Sequence, residues 1–171
     1  MPFKTSTLII LCLLIAGHSS MAQKSRRPQL EINASLEYAD FYGDPLGGVG
    51  AQAKFLWEVG KKNNAITATL GADRLFEDFG YDSYSYTFGL TSIGYRKNIK
   101  SFFIEPKIGF GVLHEDNYET YCGFAGIEPG FQKDRFSFSL DYRFITAEGF
   151  VEGDHFHTIA LRVGYRIVKN K

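Results

Sequence analysis

The sequence predicts an all-β fold, an eight-stranded antiparallel up-and-down transmembrane β-barrel. Three observations carry that expectation. An apolar N-terminal run reads as an export signal. Eight segments then alternate apolar and polar residues with period two, as in Phe136–Phe144, Phe-Ser-Phe-Ser-Leu-Asp-Tyr-Arg-Phe. The segments are joined by short polar turns and longer acidic loops in strict alternation.

Lys4 precedes the apolar run Leu8–Ala16, which is far shorter than the roughly 20 residues a membrane-spanning helix needs. Ser20-Met21-Ala22 then places small residues where a signal peptidase reads, so residues 1–22 read as a signal peptide cut after Ala22. Residues 23–171 are left as one domain with no linker or composition break. The 19 basic and 19 acidic residues balance, which gives no footprint for nucleic acid. One cysteine, Cys122, remains after cleavage, so no internal disulfide is expected.

The first alternation puts Leu30, Ile32, Ala34, Leu36 and Tyr38 on one face and Glu31, Asn33, Ser35 and Glu37 on the other. Asp40–Leu46, with Gly43 and Asp44-Pro45, reads as a loop. The second strand opposes Val49, Ala51, Ala53, Phe55, Trp57 and Val59 to Gln52, Lys54 and Glu58. The third opposes Ile66, Ala68, Leu70 and Ala72 to Thr67, Thr69 and Asp73. A turn centred on Lys61-Lys62 sets Trp57 opposite Ile66 and Phe55 opposite Ala68, apolar against apolar.

Arg74–Ser83 reads as the second long loop. The fourth strand begins Tyr84, Tyr86, Phe88, Leu90 and then changes phase to Ile93 and Tyr95, which predicts a β-bulge near Thr91-Ser92. The fifth strand sets Phe102, Ile104, Pro106, Ile108, Phe110 and Val112 against Glu105 and Lys107. The sixth sets Tyr121, Ala125, Ile127, Pro129 and Phe131 against Cys122, Phe124 and Glu128. Pro106 and Pro129 each remove a ladder donor, and a local bulge is the expectation at both. A turn centred on Lys133-Asp134 sets Phe131 opposite Phe136 and Ile127 opposite Leu140. His114–Thr120 and Thr146–His155 are the remaining long loops, and the last strand alternates Ile159, Leu161, Val163 and Tyr165 with Arg162 and Arg166.

Two barrels fit this pattern, a soluble lipocalin-like carrier and a transmembrane barrel. An eight-stranded lumen is only wide enough for side chains to fill it. Trp57 and the many Phe rings of the apolar face suit it badly, whereas small residues and opposite charges suit it well. Tyr38, Trp57, Tyr84, Tyr95, Phe102, Tyr121, Phe131, Phe136, Tyr142, Phe156 and Tyr165 lie near strand ends, as interfacial girdles do. The membrane reading is therefore preferred. It requires strand one to pair with strand eight, because unpaired backbone groups are costly in hydrocarbon.

With these features in place, the chain resembles the small outer-membrane barrels of Gram-negative bacteria, the OmpX/OmpA-barrel type, from Gln29 to Ile167. Gly94-Tyr95-Arg96, Ile108-Gly109-Phe110-Gly111 and Val163-Gly164-Tyr165-Arg166 resemble strand phrases of that group. The resemblance implies the cell outer membrane as location and outer-membrane lipid as surroundings. It also implies periplasmic chaperones and the barrel-assembly machinery as partners in biogenesis, and a monomer. It further implies a terminal aromatic residue, whereas this sequence continues past Tyr165 as Arg-Ile-Val-Lys-Asn-Lys; nothing in it corresponds to the peptidoglycan-binding domain of OmpA-type proteins.

Glu105, Lys107, Glu128, Asp141, Arg143, Arg162 and Arg166 form the expected lumen network, read as a salt-bridged structural plug; a small porin-like ion path is the competing reading. Asp154-His155-Phe156-His157 and His114-Glu115-Asp116 with Glu119 have residue types that bind metal or activate water, yet both read better as polar loops. Cys122 reads as an inert buried thiol. No nucleophile elbow, phosphate loop, CxxC or HExxH motif occurs. The expectation is a non-enzymatic barrel without cofactor, acting structurally or through its outer loops. A lipocalin-like carrier or a lipid-modifying barrel enzyme is the alternative.

Overall fold

A computed structural model describes residues 28–41, 44–60, 64–79, 82–115, 118–148 and 155–167. The signal segment lies outside the described residues. The eight strands are β1 (Gln29–Phe41), β2 (Asp44–Val59), β3 (Asn64–Phe79), β4 (Asp82–Ile99), β5 (Phe102–Glu115), β6 (Tyr118–Lys133), β7 (Phe136–Glu148) and β8 (His155–Arg166). Each pairs antiparallel with its sequence neighbours, and β1 closes on β8 from Glu31↔Arg166 to Asp40↔His157. The bond from Ile167 N–H to the Leu30 carbonyl, 2.8 Å, extends that seam. No sheet edge is left among these strands, as hydrocarbon demands.

Period two carries through the wall. Ile32, Leu36, Leu70, Ile93, Phe110, Phe138 and Leu161 are exposed on the outside, while Glu31, Lys54, Asp73, Arg96, Glu105, Glu128, Asp141 and Arg143 are buried inside. A soluble carrier would need the opposite arrangement. The β2–β3 register is the expected one, with Trp57↔Ile66, Phe55↔Ala68 and Ala53↔Leu70.

Four expectations are corrected. The β6–β7 register is displaced by two residues: Phe131 faces Phe138, Ile127 faces Tyr142 and Lys133 faces Phe136. The turn is Asp134-Arg135, with Asp134 in the left-handed region at φ 55°, a conformation Asp tolerates better than most residues. An even displacement leaves both faces unchanged.

No bulge interrupts β4. Its pairing with β3 runs unbroken from Ala65↔Arg96 to Phe79↔Asp82. Phe88 and Leu90 instead point inward, in phase with Ser92 and Arg96.

Neither proline adds a residue. The β4–β5 ladder skips two pairs between Gly94↔Lys107 and Lys97↔Ile104, and resumes in the same register past Pro106. The β6–β7 ladder skips likewise between Ile127↔Tyr142 and Gly130↔Ser139, past Pro129. A missing N–H opens the ladder without shifting it.

The expected loops Asp40–Leu46, Arg74–Ser83 and His114–Thr120 are largely strand, and residues 149–154 of the fourth lie outside the described residues. β3 and β4 pair as far as Phe79↔Asp82, and β1 and β2 as far as Phe41↔Asp44. Residues 116–117 alone separate β5 from β6. The wall thus continues past the outward apolar band at this end. The other end carries both described termini and the turns at Gly60, Lys100-Ser101 and Asp134-Arg135.

Candidate functional site: a two-layered lumen

The lumen holds two layers of side chains. The lower layer, toward the turns, is charged and centres on Glu128. Its carboxylate accepts from Lys54 Nζ at 2.8 and 2.9 Å, Lys107 Nζ at 2.8 Å and Ser139 Oγ at 2.9 Å, with Arg162 at 3.5 Å. Glu105, directly opposite Glu128 in the β5–β6 ladder, accepts from Arg96 Nε at 2.7 Å and Thr67 Oγ1 at 3.0 Å, and lies 3.1 Å from Lys54. Two like charges face each other across a strand pair because cations from β2, β4 and β5 stand between and beside them.

Asp141 pairs with Lys107 at 2.6 Å and Arg162 at 2.6 Å. Arg143 reaches Glu37 at 2.6 Å and Asp73 at 2.7 Å. Glu31 pairs with Arg96 and Arg166, each at 3.4 Å. Lys54 to Glu128 joins β2 to β6, and Arg143 to Asp73 joins β7 to β3. In a ring of eight strands these are opposite walls, so the side chains cross the whole lumen. Among the described residues six carboxylates meet six cations, so the formal charges of the layer balance.

The upper layer is apolar. Ala39, Leu46, Leu75, Phe88, Leu90, Leu113, Cys122, Phe124, Ile145 and Phe156 form one buried cluster to which every strand contributes. Phe88 and Phe124 meet edge to face with centroids 6.2 Å apart. Glycines make room for them: a Cβ on Gly111 would collide with the Phe88 ring, and one on Gly109 with Phe124. The Arg143 guanidinium lies 5.9 Å from the Phe88 centroid and links the layers. Lower down, Arg96 stacks 3.9 Å over Phe103.

The predicted residues Glu105, Lys107, Glu128, Asp141, Arg143 and Arg162 all lie in the charged layer, and Arg166 lies partly exposed at its turn-end mouth, 2.7 Å from Gln132. Lys54, Glu31, Glu37 and Asp73 also belong to it, as their place on the polar face indicates. Arg96 was missed. Extending the Ile93/Tyr95 phase by one residue would have found it. Phe156, expected in a girdle, is instead buried in the apolar layer.

The histidines sit elsewhere. His155 and His157 lie on the outer face with rings 5.9 Å apart, and His157 Nδ1 is 2.6 Å from the Tyr142 hydroxyl. His114 and Glu119 are exposed and 3.6 Å apart. Asp154 and Asp116 lie outside the described residues. Among the described residues no group of three His, Cys, Asp or Glu is placed to hold a metal ion. Cys122 is buried, with its thiol 3.6 Å from the Thr120 carbonyl.

A closed eight-stranded antiparallel barrel, apolar outside and charged within, is the transmembrane barrel fold of small outer-membrane proteins. Solved structures of such proteins match it. Neisserial surface protein A aligns with a TM-score of 0.56 at 8% identity, covering 84% of this chain and 98% of that one. Ail of Yersinia pestis in a phospholipid nanodisc aligns with 0.52 at 15% identity, covering 80% and 98%. The outer membrane enzyme PagL aligns with 0.51 at 11% identity, covering 79% and 98%. At these identities the likeness is one of fold. No protein-family model and no curated protein sequence matches the chain.

Proposed function

We propose that this chain is an integral outer-membrane barrel with a closed lumen, serving a structural or surface-interaction role through its loop end. The carrying observation is the outward band of exposed apolar side chains around a buried charged interior. In water that arrangement would leave the band uncovered and the charges desolvated for no gain. In a bilayer the band is solvated by lipid.

The lumen is closed to ions on this reading. The charged layer is internally neutral and crosses the barrel from wall to wall, and the apolar layer above it offers no polar path. The barrel would arrive by signal-directed export, with chaperones and assembly machinery as its partners in biogenesis, and would act as a monomer without catalysis.

Cell fractionation followed by electrophoresis of unheated and heated samples tests the reading. Recovery in the outer membrane, with the unheated band running faster, is the expected result. Recovery in the soluble periplasm without a mobility shift would overturn it.

A further inference from the structure

The outer face is not uniformly convex. A groove of about 1030 Å³ runs across β5 to β8 and onto β1 in the half of the barrel near the turns. Phe102, Phe131, Phe138, Leu140, Leu161 and Leu36 line it, and its floor lies beside Pro129, where the β6–β7 ladder is open. An apolar trough in a lipid-facing wall has room for an acyl chain.

The rim beside this groove is predominantly positive. Lys97, Lys100, Lys133 and Arg135 are exposed there, and Asp134 is the one acid on these two turns. The backbone of the two turns is held in place. Lys100 holds the left-handed conformation at φ 58°. The Ser101 carbonyl accepts from Gln132 N–H at 2.7 Å and the Arg135 carbonyl from Arg166 N–H at 2.7 Å, which ties each turn to the neighbouring strand. Arg135 also donates to the Tyr165 hydroxyl at 3.2 Å. The two turns stand about two interstrand spacings apart, roughly 10 Å, within reach of one headgroup between long cationic side chains. The exposed charges toward the other end are mixed, with Asp40 and Glu119 alongside Arg74.

We infer that this face binds one anionic phospholipid of the leaflet on the turn side, with its phosphate between Lys100, Lys133 and Arg135 and an acyl chain in the groove. Groove and cations are separate observations that meet at one place, and together they select a lipid of negative charge. The inference rests on the membrane reading above.

The test is native mass spectrometry of the full barrel extracted from nanodiscs holding equal phosphatidylglycerol and phosphatidylcholine. Phosphatidylglycerol is expected to be retained in preference. Lys100→Asn, Lys133→Gln and Arg135→Gln together remove the preference, about fivefold for each cation. Asn is chosen at position 100 because it tolerates the left-handed backbone. Ala34→Trp, which fills the groove from β1, lowers retention of phosphatidylglycerol with the cations intact.

Equal retention of the two lipids by the unmodified barrel would overturn the inference, and so would a dimer in place of the lipid adduct. Binding of chain-free glycerophosphoglycerol as tightly as the lipid would remove the groove from it. The comparison in the unmodified protein stands even where a variant fails to fold. A barrel that shows the heat-dependent mobility shift yet has no lipid preference refutes this inference alone; one that never inserts refutes the membrane reading beneath it.

Discussion

Replacing Glu128 by glutamine removes one negative charge at the centre of the lumen and keeps the side-chain volume. In the native barrel this carboxylate meets Lys54 Nζ at 2.8 Å, Lys107 Nζ at 2.8 Å, Ser139 Oγ at 2.9 Å and Arg162 Nη1 at 3.5 Å. The amide of the replacement retains one acceptor oxygen and turns an NH₂ group toward the same cations. Six cations then face five carboxylates, all of them buried except the partly exposed Arg166. Breaking a buried pair from one side costs about 3–5 kcal/mol, and Glu128→Gln is expected to fall in that range. Adding Lys54→Met restores charge balance, so the double variant is expected to lose less than the sum of the single variants, by about 1–3 kcal/mol. Urea unfolding in lipid vesicles, followed through the single tryptophan Trp57 and through gel mobility, gives the free energies by linear extrapolation. A single variant within about 0.5 kcal/mol of the parent, or a double variant equal to the sum, would refute the view of Glu128 as the hub of a neutral charged layer.

Three further outcomes follow from the same geometry. Leu161→Arg, at a position 62% exposed on the outer face, is expected to destabilise the inserted barrel by about 2–4 kcal/mol in the same unfolding assay, whereas Ser137→Ala on the inner face changes little. Phe124→Ala empties the middle of the apolar layer and costs about 3–5 kcal/mol, measured by the urea midpoint at constant slope. The parent barrel is expected to be silent in planar bilayers, and Arg143→Ala with Phe88→Ala, which thins both layers at their point of contact, is expected to introduce conductance; a conducting parent would reject the closed lumen.

The strands were legible because burial imposes period two, and that period does not depend on which side is wet. Hence Trp57↔Ile66 and the inward set Thr67, Thr69 and Asp73 follow from the sequence alone. The direction of the apolar face was legible too, since seven or more large rings cannot fill so narrow a lumen.

Tyr84, Tyr86, Phe88 and Leu90 read as one outward apolar run, so a bulge was needed to reconcile them with Ile93. The apolar upper layer removes that need and places Phe156 inside as well. The β6–β7 register depended on which residue of Lys133-Asp134-Arg135 takes the left-handed conformation, and the alternation is blind to displacements of two. The loops were overestimated because their charged residues looked like breaks, while an antiparallel ladder above a membrane carries charge on its wet faces without ending. The cross-barrel pairs, Lys54 with Glu128 and Arg143 with Asp73, needed closure and tilt that no single strand reveals.

On this reading the apolar face of the barrel meets lipid. Trp57 is the one tryptophan, lies on that face near the turn end and stacks on Phe55 with centroids 6.1 Å apart. Its fluorescence in vesicles, measured with brominated lipids and then with aqueous iodide, tests the claim most directly. Strong quenching by bromine placed near the headgroups, with little effect of iodide, is the predicted result. Quenching by iodide and indifference to brominated lipid would contradict it and place the ring in water.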